Sequence, residues 1–300
     1  LARNDEVAVG RYRDCPGEQK MMKKEINGLS RRQILAAMAI SSVASVAKGS
    51  VLNQENIASS FFDSGSSRNV RIDAKPAPIA IDVSRTAVIV VDMQNDFGSK
   101  GGMFDRAGID ISMIQRAVGP TANVLTAARK ANIKIIYLKM GYRPDLSDLG
   151  APDSVSRTRH LKRMQVGMTV RAPDGRESRI LVRDTWNTEI LPELKPHDGD
   201  IVMYKHRYSG FYQTDLDTVL KKFGIEHLIF TGCTTSVCVD STIRDAMFRD
   251  YQPVLLADCT GEPIGYDLAR SNHEASLLTI QALLGWVSES EEFIKALGSA

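Results

Sequence analysis

The chain has few cysteines, no sustained hydrophobic run and almost no net charge, and each shortage excludes something. Four cysteines in 300 residues, Cys15, Cys233, Cys238 and Cys259, do not form the disulfide framework of a small secreted domain. The spacing of Cys233 and Cys238 does not suit paired zinc half-sites, and no Cys/His pair lies nearby to complete one. The most apolar N-terminal run, Ile34–Val46, is far shorter than the ~20 residues of a membrane-spanning helix, so no membrane span is expected. Three motifs are also missing. Without G-x-S-x-G, G-x-G-x-x-G or G-x-x-x-x-G-K-[ST], a serine hydrolase, a dinucleotide enzyme and a P-loop NTPase all lack support. No cofactor is expected.

The formal charge of +2 is unevenly spread. Residues 1–47 carry 8 Lys+Arg against 5 Asp+Glu, so 30 of the 38 basic residues and 31 of the 36 acidic ones belong to residues 48–300. A nearly neutral body gives no electrostatic reason to expect nucleic acid as a partner. The basic front resembles an address. Lys23-Lys24, the twin-arginine-like Ser30-Arg31-Arg32-Gln33-Ile34-Leu35 and the small residues Ser45-Val46-Ala47 predict an export segment over 21–47, a short amphipathic helix on a cytoplasmic protein being the alternative. Residues 1–20 are an extension without a readable role. Residues 48–84, polar and closed by Lys75-Pro76-Ala77-Pro78, read as a linker, and residues 85–300 as one domain.

Within that domain Ala87–Val91 is wholly apolar, as a strand buried on both faces must be. A helix follows over about 111–131, kinked or restarted at Gly119-Pro120, and then a strand over 133–140. Further on the pattern predicts a helix over 187–194, a strand over 201–204, a helix over 215–223, a strand over 228–231, a helix from Ser236, a strand over 253–257 and a helix over 268–284. Alternation of this kind means an α/β fold, a doubly wound, mainly parallel sheet with helices on both faces.

Such sheets bind ligands at the carboxyl ends of their strands. Asp92, Lys205 and Cys238 stand at three such ends. Each also has a plain structural reading: an Asp there caps the next helix, a Lys before a loop is solvated, and a Cys is a small core residue. Cys238 falls in the first turn of a helix, where unpaired N–H groups and the helix dipole favour a thiolate. An unperturbed thiol is only about 3% ionised at pH 7, so a second cation is needed, and Lys205 is the candidate.

Taken together, VVDMQNDF (Val90–Phe97), YKHRYSGFYQTDLD (Tyr204–Asp217) and TGCTTSVCVDSTIRDA (Thr231–Ala246) resemble the isochorismatase-like cysteine hydrolases, over about residues 85–297. Arg207–Phe211 and Gly285–Ser288 are most similar to the branch that cleaves ureidoacrylate. The resemblance implies a catalytic triad of Asp92, Lys205 and Cys238. It further implies an oxyanion hole of the Thr234 and Cys238 amides, with a non-proline cis peptide between Cys233 and Thr234. Asp92 is then the proton carrier in a hydrolysis that passes through a thioester-like intermediate. The metal-binding Asp-x-His of some members is absent from Lys139-Met140-Gly141-Tyr142, so no metal is expected. The implied partners are a small ureido or carbamoyl amide and further copies of the chain in a dimer or tetramer. Biuret, N-carbamoyl amino acids and nicotinamide are alternative substrates, and a non-catalytic binding role is the rival class.

Substrate contacts are harder to read. Tyr208 and Phe211 could wall the pocket or simply pack, and Gln281 could bind a ureido group or sit exposed on its helix. Arg157–Arg163 could lid the site and attract a carboxylate, or be a solvated loop. His206, next to Lys205, keeps a Cys–His mechanism open.

Overall fold

The computed structural model describes residues 68–265 and 267–298. The extension and the export segment expected over residues 1–47 lie outside them. Six strands form one parallel sheet: β3 (Thr86–Val91), β4 (Lys134–Met140), β7 (Ile201–Lys205), β8 (His227–Cys233), β9 (Gln252–Gly261) and β10 (Trp286–Ser288). Their order across the sheet is β10-β9-β8-β3-β4-β7. The chain starts in the middle at β3, winds outward through β4 to β7, then returns to lay β8, β9 and β10 on the other side. The junction of β3 and β8 is therefore the topological switch point, where loops diverge from the carboxyl ends and leave a crevice.

Side-chain alternation along β3 feeds two cores. Val88 and Val90 join one cluster with Ile114, Val124 and Leu125 of the helix Ser112–Lys130 and Phe293 of the helix Ser290–Gly298. Ala87, Ile89 and Val91 join the other, with Leu216 and Leu220 of the helix Leu216–Lys222 and Ile243 and Ala246 of the helix Asp240–Met247. The doubly wound sheet with helices on both faces is thus present as expected. Helices are numbered in chain order: α1 (Asn95–Gly98), α2 (Met103–Arg106), α3 (Ser112–Lys130), α4 (Val155–Lys162), α5 (Leu216–Lys222), α6 (Asp240–Met247), α7 (Asn272–Thr279) and α8 (Ser290–Gly298). Among the described residues no helix is long and apolar enough to cross a membrane.

Several sequence expectations need correction. Of the linker expected over 48–84, residues 69–82 form an antiparallel hairpin of β1 (Asn69–Ile72) and β2 (Ile79–Asp82), whose Ile72 and Ile81 are completely buried. Alternation over only four residues, interrupted by Asp, Lys and Pro, is too short a signal to stand out from a polar stretch. Helix α3 is not restarted at Pro120 but continues through it, because its stripe of Ile114, Ala117, Thr121, Val124, Leu125 and Ala128 is buried along its whole length. That burial outweighs the ~3 kcal/mol that an interior proline costs. The helix expected over 187–194 is instead two short 3-10 turns, Trp186–Thr188 and Pro192–Leu194. The last predicted helix is shorter at its start: α7 passes into a π-helical turn, Ile280–Leu284, which ends at Gly285. A second hairpin, β5 (Thr169–Arg171) with β6 (Glu177–Arg179), and the three-residue β10 had no legible pattern.

Candidate active site

Asp92 ends β3 with a sharp reversal. Its φ is +54°, a left-handed conformation that Asp adopts more readily than most residues, and its amide still donates to Leu138 O of β4 at 2.8 Å. The turned-back carbonyl accepts from Gln94 N at 2.8 Å and from the Cys233 thiol at 3.3 Å. Gln94 then pins the two loops together: its Nε2 donates to Met140 O at 2.9 Å and its Oε1 accepts from Met140 N at 2.8 Å. With its backbone held on three sides, the Asp92 side chain is confined to the crevice.

Lys205 is the last residue of β7, paired in register with Met140 of β4. Its long side chain crosses the end of β4, touching Met140 Sδ at 3.7 Å and donating to Arg207 O at 3.2 Å, and reaches Asp92 Oδ2 at 2.7 Å. Opposite charge at this distance, with both groups wholly buried, holds the pair.

Cys238 approaches from the other side of the switch point. A cis peptide joins Cys233 to Thr234, and a π-helical turn, Thr235–Val239, leads into α6. Glu262, fully buried at the end of β9, accepts from Ser236 N at 2.8 Å and from the Ser236 hydroxyl, and so anchors the start of that turn. Thr242 Oγ1 donates to Cys238 O at 2.6 Å and accepts from Gly210 N at 3.0 Å, tying the turn to the loop after β7. Val237 and Val239 both donate their amides to Thr234 O. Thr234 caps this turn and Cys238 lies within it, and their amides are the pair named for an oxyanion hole.

The turn demands a glycine. Gly232 has φ +116°, and a Cβ there would lie 2.0 Å from Val91 O on β3. Gly232→Ala would therefore force β3 and β8 apart beside Asp92 as well as straining its own backbone. We expect a loss of at least ~2 kcal/mol, with a fall in activity exceeding what the unfolded fraction explains, read from urea denaturation and assays on the folded protein. Retained stability and activity would mean that the close approach is not required.

Asp92, Lys205 and Cys238 converge: the first two are in contact and Cys238 is near enough to interact with both. The first two are wholly buried and Cys238 is 6% exposed, so a ligand at this rim meets sulfur first, with the charges behind it. Electrostatics follow from that burial. Burial raises the Asp92 pKa, although Lys205 opposes it. Burial alone would lower the Lys205 pKa, but the neighbouring Asp92 and Cys238 charges outweigh it and the net shift is upward. The Cys238 thiol is pushed well up by burial and by Asp92, with Lys205 opposing. The position at the start of a helix favours a thiolate in the sequence reading, whereas burial raises the thiol's pKa, so loss of its proton calls for a base beside it, the part expected of Asp92.

The other named residues divide. Tyr208 is 39% exposed, its ring 5.8 Å from that of His160, and its hydroxyl lies within the electrostatic influence of Cys238. Phe211 packs instead on Tyr251, ring centres 5.9 Å apart, with Arg249 over its face, and belongs to the core. Gln281 lines a groove with Lys75, Glu274 and Val287, in which none of Asp92, Lys205 and Cys238 takes part. His206 faces Gln213, at 3.3 Å, and Tyr212, which removes the geometric basis for a Cys–His pair. Arg157–Arg163 is not a solvated loop: residues 157–162 belong to α4, capped by Ser154, with His160 turned inward against Tyr142. Among the described residues no three His, Cys, Asp or Glu side chains converge as a metal site.

Sequence reading missed Gln94, Tyr142, Thr242 and Glu262. Glu262 follows the end of β9 just as Asp92 follows β3, so the strand-end rule would have found it had that strand not been ended at Ala257.

Comparison with known proteins agrees with this geometry. Residues 86–292 match the model of the isochorismatase domain. The ureidoacrylate amidohydrolase RutB of Methylorubrum extorquens is 40% identical over 241 residues, covering 79% of this chain and 92% of that protein. Its namesake from Yersinia enterocolitica is 40% identical over 228 residues, covering 75% of this chain and 95% of that one. Among solved structures, a cysteine hydrolase from Pseudomonas syringae superposes with a TM-score of 0.61 at 32% identity, covering 78% of this chain and 99% of its own. With the domain model spanning most of its length and a switch-point cleft assembled from the motif residues, this chain belongs to the isochorismatase family.

Proposed function

We propose that the chain is a cysteine-dependent amidohydrolase that cleaves a C–N bond of a small ureido acid. The observation that carries this reading is the buried Asp92–Lys205 ion pair with the Cys238 thiol in front of it, and the relatives named as ureidoacrylate amidohydrolases support the substrate class.

In this reading Asp92 takes the thiol proton as Sγ attacks the carbonyl carbon. The transfer turns a carboxylate–ammonium pair into a thiolate–ammonium pair at constant net charge, so Lys205 keeps a counter-ion throughout and no new charge is desolvated. The amides of Thr234 and Cys238 hold the resulting oxyanion. Asp92 returns the proton to the departing nitrogen, the C–N bond breaks, and a thioester-like acyl-enzyme remains. Water, deprotonated by Asp92, then attacks the acyl carbon; the C–S bond breaks and the thiol recovers its proton.

The test is ammonia and carbamate release from ureidoacrylate, biuret, N-carbamoyl amino acids and nicotinamide, with and without prior iodoacetamide treatment. Turnover is expected with the ureido acids and is lost once Cys238 is alkylated. Turnover that survives complete alkylation would refute the cysteine mechanism, and absence of turnover on the whole panel would favour a non-catalytic binding protein.

A further inference from the structure

Tyr142 stands two residues beyond β4, on the same side of the extended chain as Met140, whose sulfur touches Lys205 Nζ. Its backbone is fixed: Tyr142 N donates to Leu181 O at 2.8 Å and its carbonyl accepts from Arg183 N at 3.0 Å. Its ring is 5.7 Å from that of His160, which in turn faces Tyr208. The residue is 0% exposed, yet its hydroxyl has no hydrogen-bond partner among the described residues. Burial raises the pKa of this hydroxyl, Arg207 opposes it, and Tyr208, Cys238 and Asp148 are close enough to add to it. Arg207 spends Nη1 on the carbonyls of Asp148 and His206, at 2.9 and 2.6 Å, and pairs with no carboxylate among the described residues.

A buried hydroxyl without a partner is a standing cost, normally retained only where something else satisfies it. Here the Tyr142 ring belongs to the His160–Tyr208 group beside the Met140–Lys205 contact, and Arg207, which pairs with no carboxylate among the described residues, is the cation that acts on the hydroxyl. We propose that Tyr142 is a specificity-determining residue, its hydroxyl donating to the carboxylate of the bound ureido acid while the Arg207 guanidinium supplies the opposite charge. The inference rests on the amidohydrolase reading for its substrate class. It adds the end of the ligand that is recognised, and it predicts that an acid is preferred over a neutral carbamoyl compound such as biuret.

The experiment separates the two claims by measuring binding rather than turnover. In Cys238→Ala protein, affinities for 3-ureidopropionate and for its uncharged amide are measured by calorimetry with Tyr142 intact and with Tyr142→Phe. We expect Tyr142→Phe to weaken the acid by tenfold or more and the amide by less than threefold. Melting temperature should be unchanged or higher, since the substitution removes only an unsatisfied group. Equal weakening of both ligands, no weakening of either, failure of the acid to bind the Tyr142 protein, or a lowered melting temperature would each overturn the assignment. Binding that behaves as expected in a protein whose Cys238 form turns over no ureido acid would sink the hydrolase reading and leave the carboxylate site standing.

Discussion

Replacing Lys205 with methionine is expected to destabilise the protein by about 3–5 kcal/mol and to lower kcat/KM by at least ~10³-fold, two losses with one cause. The ammonium and the Asp92 carboxylate are both wholly buried and 2.7 Å apart, so neither has water to replace the other. Without Lys205, Asp92 must remain ionised at a large desolvation cost or take up a proton, and burial already pushes its pKa upward. A protonated Asp92 cannot accept the thiol proton, and the thiolate would have no counter-ion. The double substitution Asp92→Asn/Lys205→Met removes both charges and should return stability to within ~1–2 kcal/mol of the original, because an uncharged pair of similar volume avoids the desolvation cost. Activity should not return. Urea denaturation of the four proteins supplies the cycle, and additive stability losses would show that the two groups are not coupled in the folded state.

The parts legible beforehand are those in which a local pattern and a global requirement coincide. Ala87–Val91 reads as a doubly buried strand because a central strand of a parallel sheet has no solvent face, and β3 is that strand, between β8 and β4. Asp92, Lys205 and Cys238 could be picked out because reactive residues at strand ends are informative in a doubly wound sheet. What escaped was set by contacts distant in sequence. The register of β8 against β9 shifts between Phe230 and Gly232, so β9 continues past the polar Ala257–Asp258 to Gly261, and Glu262 is delivered to the nucleophile turn. No local pattern announces such an irregularity. Sequence left Phe211 open between a pocket wall and packing, and the structure sets it against Tyr251 and Arg249, from the segment before β9. The burial of the thiol escaped for a related reason: helix position can be read from spacing, but the extent of desolvation depends on everything packed above it.

The burial of the thiol carries the second large expectation. On the proposed mechanism the raised thiol pKa assigns the step to thiolate to Asp92, and Asp92→Asn should lower kcat/KM of the folded protein by about 10³–10⁴-fold, in addition to the stability lost by leaving the buried Lys205 ammonium unpaired. The sign of the pH dependence follows from the same geometry. Asp92 must be ionised to accept the proton, and burial holds its pKa above the usual 3.8, so activity should fall on the acid side through a midpoint above the ordinary carboxylate range. Lys205 is held above its usual 10.5 by Asp92 and Cys238 against the effect of burial, so no loss of its charge should appear between neutral pH and that value. Iodoacetamide labelling of Cys238 gives an independent readout. With Asp92 present, labelling should follow the same acid midpoint as turnover. In Asp92→Asn it should be slow at neutral pH and rise about tenfold per pH unit, as for a thiol that must lose its proton to solvent. Labelling of the Asn variant at the original rate and pH profile would mean that the thiolate forms without a carboxylate base. Lys205 and the helix terminus would then suffice to ionise the sulfur, and Asp92 would be left with the departing nitrogen and the incoming water alone.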